Sequence, residues 1–196
     1  VALFYVFGLV CLTEFNKLIK QKSSASYLIF TTVFLLFSIG ELLFYSVEII
    51  NQVSQIFHVL SIFVTLFLIR DLFSSKELPN LISNQFINTT FYISSGFVFL
   101  ILIAFNFGDY NPQIILGIFI LIWTNDSFAY LIGQNFGKQK LFASISPKKT
   151  VEGFLGGVFF SAIGSYFIAL IAPSLSFTNW LIISVLVSVF GTLGDL

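Results

Sequence analysis

Seven apolar stretches, near residues 1–12, 27–47, 56–73, 87–105, 113–132, 154–172 and 180–196, fill most of the chain and leave only short polar connections. A helix crossing the hydrocarbon core of a bilayer needs about 20 apolar residues, and most of these stretches approach that length. Their apolar side chains run all round the helix rather than along one stripe, which suits lipid-embedded helices. Membrane strands would alternate instead. A run such as Phe97-Val98-Phe99-Leu100-Ile101-Leu102-Ile103 does not. The expected fold is all-α: a polytopic transmembrane bundle of about seven segments in one membrane-embedded domain, 1–196. The 56–73 segment is the weakest of the seven, because Arg70 and Asp71 crowd its end.

Charged residues make up 9% of the chain, against about 25% in a soluble domain. Nine basic residues balance nine acidic ones, so no net charge draws the chain to nucleic acid. Cys11 is the single cysteine and excludes an internal disulfide; in its apolar run it reads as a small packed side chain. The chain contains no Met, and its first apolar stretch is short for a crossing. Both ends are therefore expected to be cuts through or beside membrane helices.

The connections alternate in charge. Lys17, Lys20 and Lys22 lie in 13–26, Arg70 and Lys76 in 70–86, and Lys138, Lys140, Lys148 and Lys149 in 133–153. The connections at 48–55, 106–112 and 173–179 carry no Lys or Arg. The positive-inside rule places the three basic connections on the cytoplasmic face.

This topology locates the candidate chemistry. Asp126 lies 14 residues beyond Pro112, roughly 21 Å along a helix entering from the outer side. Asp195 lies 15 residues into the last segment, at roughly 22 Å. Both acids thus reach the cytoplasmic boundary, where the lysine-rich connection begins. An aspartate inside a membrane helix costs about 2.5–3.5 kcal/mol and usually marks function or a specific pair; the plainer reading is a salt bridge to a lysine. Two acids at matched depth suit Mg²⁺, which takes few carboxylates and leaves room for substrate phosphates. Zinc does not fit, since His58 and Cys11 are the only His and Cys. His58 is expected to pack or sit at the interface, and Glu41 and Glu48 to cap or pair at the outer face.

The connection itself reads Gly133-Gln134-Asn135-Phe136-Gly137-Lys138-Gln139-Lys140-Leu141, then Ser146-Pro147-Lys148-Lys149-Thr150-Val151-Glu152-Gly153-Phe154-Leu155-Gly156-Gly157. Lysines supply point charges for phosphates, Ser146 and Thr150 supply hydroxyls, and the helix that follows offers an anion its free N–H groups. No Walker P-loop pattern is present. Two plainer alternatives stay open: the lysines anchor the loop to anionic lipid heads, and Gly156-Gly157 serve helix packing alone.

At these residues the chain resembles the phosphatidate cytidylyltransferase (CDP-diacylglycerol synthase) family. The resemblance runs through Asn125-Asp126-Ser127-Phe128-Ala129-Tyr130, Gly133, Phe136-Gly137-Lys138, Lys140-Leu141, Ser146-Pro147-Lys148-Lys149-Thr150, Glu152-Gly153-Phe154 and Gly156-Gly157, and resumes at Gly194-Asp195-Leu196. The motifs thus fall in 125–157 and 194–196, about a third of the chain; Glu14-Phe15 match loosely. Val151 stands where a Trp is common, and the family's Lys-Asp pair and Pro-Gly-His-Gly-Gly run are expected beyond residue 196. The resemblance implies an integral membrane enzyme of the bacterial inner membrane, with its site facing the cytoplasm. It would join CTP to phosphatidate with Mg²⁺, releasing pyrophosphate, and a homodimer is the assembly the resemblance suggests. Asp126 and Asp195 would be the metal acids and Lys149 the phosphate-contacting lysine. Asn125, Lys138, Lys140, Ser146, Lys148, Thr150 and Glu152 would bind substrate. The rival readings are a CTP-dependent polyprenol or phytol kinase and an ion-coupled transporter.

Overall fold

The computed structural model describes residues 1–20, 24–44, 48–73, 84–106 and 109–196. The chain folds as two compact units, Val1–Tyr110 and Asn111–Leu196.

In the first unit α1 (Ala2–Leu18), α2 (Ser24–Phe44) and α3 (Glu48–Leu72) precede α4 (Gln85–Asn88). A π-helical stretch, Thr89–Ser94, joins α4 to α5 (Ser95–Ala104). The unit closes with a short hairpin, β1 (Phe105–Asn106) against β2 (Asp109–Tyr110). Leu12, Phe30, Phe34, Phe57, Ile93, Val98 and Ile101 form the core. Phe30 and Phe34 stack at 5.7 Å between centroids, and Phe37 stacks on Phe57 at 4.2 Å. Gly8 leaves room for the tip of the Phe30 ring. Several buried hydroxyls turn back onto their own helix: Ser61 Oγ donates to the Phe57 carbonyl at 2.7 Å, and Ser94 Oγ to the Thr89 carbonyl at 2.7 Å. Small residues satisfied in this way let membrane helices pack closely.

In the second unit α6 (Pro112–Phe136) leads into the antiparallel hairpin β3 (Lys140–Phe142) and β4 (Ser146–Thr150), then α7 (Val151–Ile171) and α8 (Phe177–Gly194). Asn111 caps α6 by accepting from the Gln113 N–H, with Pro112 in the first turn, where its missing donor costs nothing. Ser176 caps α8 in the same manner. Trp180 is fully buried, its Nε1–H donates to the Ala172 carbonyl at 3.1 Å, and its ring lies over Gly117.

Each apolar stretch therefore corresponds to helical structure. Among the described residues, five helices are long and apolar enough to cross a membrane: Gln52–Leu72, Phe86–Ala104, Pro112–Phe136, Val151–Ile171 and Phe177–Gly194. Ser24–Gly40 is apolar but shorter. Large apolar side chains cover the outside, with Trp123 71% and Ile171 78% exposed. A surface of that kind belongs in lipid, and the protein is an integral membrane protein.

Several details differ from expectation. The 48–55 stretch is helical rather than a connection, since α3 begins at Glu48. The helices also run past the apolar limits into 13–18 and 133–136, because polar residues at a membrane boundary can stay helical. Two connections hold short β-hairpins, so all-α describes the spans and not every loop. Cys11 faces outward on α1 instead of packing inside; on a helix with an apolar outer face a thiol is one more apolar surface group. His58 does pack, its ring 4.5 Å from that of Phe99. Glu48 lies in the first turn of α3 and accepts from Gln52 Nε2 at 3.3 Å. Lys22, Lys76 and the side chain of Glu41 lie outside the described residues.

Candidate active site

The second unit is built on glycine contacts between α6 and α7. A Cβ on Gly153 would meet the Ala129 carbonyl oxygen at 2.6 Å and the Gly133 Cα at 3.0 Å. One on Gly157 would meet Asn125 Oδ1 at 2.7 Å and the Asn125 carbonyl at 2.9 Å. Gly156 lies equally tight against Ile132. Gly156-Gly157 therefore do serve helix packing: small residues let two backbones touch. That close approach brings the start of α7 beside the half of α6 that the charge pattern assigns to the cytoplasmic side.

Thr150 ends β4 and caps α7, its Oγ1 accepting from the Gly153 N–H at 3.2 Å. Extended backbone at Thr150 suits both duties. The hairpin is thereby joined to α7 without a linker.

Between α6, the hairpin, the start of α7 and the end of α8 lies a cleft of about 590 Å³. Of the residues singled out above, Asn125, Asp126, Lys140, Lys148, Lys149, Thr150 and Asp195 line it. Lys138, Ser146 and Glu152 do not belong to its lining. Ser146 instead pairs with Phe142 across the hairpin. Tyr130, Gln134, Phe154 and Thr192 line the cleft as well; Tyr130 and Phe154 lie within the motifs quoted above, which give them no role of their own. Tyr130 and Gln134 follow Asp126 at intervals of four, the spacing of one helix face, so periodicity places them beside it. The Thr192 main-chain carbonyl accepts from Lys149, a role that leaves no trace in residue type.

Lys149 ties the hairpin to the end of α8. Its Nζ donates to the Thr192 carbonyl at 3.0 Å and lies 3.7 Å from Asp195 Oδ2. Asp195 is the C-cap of α8 rather than part of the helix. Counted from the observed start at Phe177 it lies 18 residues along, about 27 Å, further than the sequence-based figure of roughly 22 Å. Unpaired carbonyls and the negative end of the helix dipole meet there. A carboxylate added to that end needs a cation, and Lys149 supplies one. Its side chain is 27% exposed and that of Asp195 67%, so the pair is open to water and to ligands.

Asn125 is 3% exposed and donates from Nδ2 to Asp126 Oδ1 at 3.2 Å, while its Oδ1 is buried with no hydrogen-bond partner. The carboxylates of Asp126 and Asp195, both on the cleft lining, are hard oxygen donors. They fit Mg²⁺, which needs one or two protein carboxylates and completes its shell with water and phosphate. No group of three or more His, Cys, Asp and Glu gathers among the described residues, so a closed all-protein cage is not what this cleft offers.

The profile of the family described as "Cytidylyltransferase family" matches residues 1–196. Over 112 residues the chain is 43% identical to a phosphatidate cytidylyltransferase of Aquifex aeolicus (strain VF5), covering 57% of this chain and 41% of that protein. Over 106 residues it is 40% identical to the phosphatidate cytidylyltransferase of Bacillus subtilis (strain 168), covering 54% and 39%. One from Staphylococcus saprophyticus is 38% identical over 107 residues, covering 54% of this chain and 39% of that protein. The matched region thus spans about two fifths of the curated relatives. No solved structure matches the chain. With the profile matching from end to end and the lysines and acids gathered at one cleft, the chain belongs to the cytidylyltransferase family.

Proposed function

We propose that the protein containing this chain transfers CMP from CTP to phosphatidate, forming CDP-diacylglycerol and pyrophosphate. The observation that carries the reading is the shared cleft: Asp126 from α6, Lys149 from the hairpin and Asp195 from the end of α8, with Lys140 and Lys148 on the same lining. The names of the relatives agree with it.

The reaction asks little of a protein base. A phosphate oxygen of phosphatidate attacks the α-phosphorus of CTP, and the bond from that phosphorus to the α,β-bridging oxygen breaks. Pyrophosphate carries the charge away. What the protein must do is hold two polyanions together and stabilise the charge that develops, as phosphoryl-type transfer generally requires. Lys140 and Lys148 supply point charges to the triphosphate, and Lys149, drawn from Asp195 and the Thr192 carbonyl, supplies a third. Asp126 and Asp195 would hold Mg²⁺. When bound, the ion neutralises charge on the triphosphate and the departing pyrophosphate.

The site faces the cytoplasm at the inner-membrane boundary in this reading, because CTP comes from water and the lipid head arrives laterally. A homodimer is the assembly implied by the family resemblance. The test is Asp126→Asn in the full-length protein in membranes, assayed with CTP labelled at the α-phosphorus. Label should enter lipid in the wild type and not in the variant; near-normal incorporation by the variant would reject the metal role. Label entering lipid from the γ-position instead would make the protein a lipid kinase.

A further inference from the structure

Glu152 has no part in the chemistry above, yet it stands at the start of α7 beside a hairpin read as receiving a triphosphate. An uncommitted carboxylate there would repel the substrate. Both of its oxygens are engaged. Oε2 accepts from the Lys138 N–H at 3.0 Å, and Oε1 and Oε2 share the Gln139 N–H at 3.2 Å. The same turn is held from two other directions. The Gln139 carbonyl accepts from the Val151 N–H at 2.9 Å. Gly137, the C-cap of α6, sits so close to the Gly133 carbonyl and the Thr150 side chain that a Cβ would not fit. Lys140, which lines the cleft, follows directly.

We infer that Glu152 is a positioning residue whose carboxylate clamps the Lys138–Gln139 turn to the first turn of α7 and so aims Lys140 into the cleft. Its place in the first turn of a helix favours the negative charge the clamp uses. Charge-assisted hydrogen bonds from two main-chain N–H groups are the strong kind, and they leave the carboxylate little capacity for a metal or a reacting proton. The inference about the clamp stands on these contacts; only its kinetic consequence rests on the proposed function.

The experiment compares Glu152→Ala and Glu152→Gln in the full-length protein. A glutamine keeps one acceptor oxygen and loses the charge, so it preserves a clamp but cannot act as an acid or base. In detergent, trypsin cleavage after Lys138 and Lys140, followed by mass spectrometry, should speed up about tenfold in Glu152→Ala, because local opening governs cleavage. Glu152→Gln should stay near wild type. In the lipid-incorporation assay Glu152→Ala should raise KM for CTP about tenfold with kcat within about twofold, the pattern of lost binding. Glu152→Gln should retain most of both. Inactivity of Glu152→Gln matching that of Glu152→Ala would overturn the clamp in favour of a direct chemical role, as would wild-type trypsin resistance in Glu152→Ala. If Glu152→Ala does not fold, Glu152→Gln alone decides: active supports the clamp, inactive overturns it. A wild-type protein that makes no CDP-diacylglycerol would reject the proposed function, while proteolysis would still read the clamp.

Discussion

The two units differ in what some of their tightest glycines meet and in how far their polar side chains reach. In Val1–Tyr110, Gly8 faces the end of the buried Phe30 ring, a side chain rather than main chain. The buried polar groups that bond there include hydroxyls returning to their own helix, such as Ser61 and Ser94. In Asn111–Leu196, Gly153 and Gly157 face main-chain atoms of α6, and beside hydroxyls that return to their own helix two charged groups bond between elements: Lys149 to the end of α8, Glu152 to the turn before β3. A core of side chains can repack, whereas backbone seated on backbone cannot move without moving a helix. Only the second kind of packing holds acids and lysines from distant parts of a chain at fixed separations, as a charged site must.

Substitutions can break or sharpen this contrast. The largest effect should come from the acids. Asp126→Asn should lower CDP-diacylglycerol formation about a thousandfold, the scale of a lost electrostatic contact in phosphoryl-type chemistry. Glu48→Gln, at the exposed start of α3, should leave the rate within about twofold. Equal losses would mean that charge matters irrespective of the cleft.

Next come the glycines. Gly153→Ala should destabilise the protein by about 3 kcal/mol, because its main-chain neighbours cannot yield, and Gly8→Ala by less, to the extent that the Phe30 ring can shift. Thermal unfolding in detergent compares them, and similar values would remove the distinction between the units. Thr150→Ala should cost about 1 kcal/mol through the lost cap on α7. Its melting temperature would show this, and an unchanged value would mean the hairpin–α7 junction is held by other contacts. Smallest should be Gly96→Ala and Gly191→Ala, one in each unit, where an added Cβ meets nothing within 4 Å. Each should shift stability by no more than about 1 kcal/mol, in the stabilising direction expected of alanine in a helix. A loss at either would mean that a partner covers that face.

Much of this is legible in the chain. Hydrophobic runs of membrane length announce the long helices, Asp126 and Asp195 are conspicuous for charge in apolar surroundings, and Lys149 stands in the most basic connection. Less legible are the helix limits. Residues 48–55 are polar enough to read as a loop, yet they open α3, because the main chain can stay helical where side chains meet water. The β3–β4 hairpin carries no strand signal: Lys140–Phe142 is too short to alternate, and Ser146–Thr150 contains a proline. Glu152 reads as a substrate contact in the sequence, and the main-chain N–H groups its carboxylate accepts from are ones that no residue pattern can advertise.

Sequence by itself determined that this chain lives in lipid, as a set of apolar helices with its positive charges confined to alternate connections. Those properties follow from transfer free energies, which sum residue by residue and need no fold. Tertiary structure decided which charges meet. Asp195 and Lys149 are 46 positions apart in the chain and come within 3.7 Å only because glycines let α6 and α7 touch and α8 packs beside α7. Electrostatic energy depends on distance in space, and that distance is set by packing rather than by the order of residues.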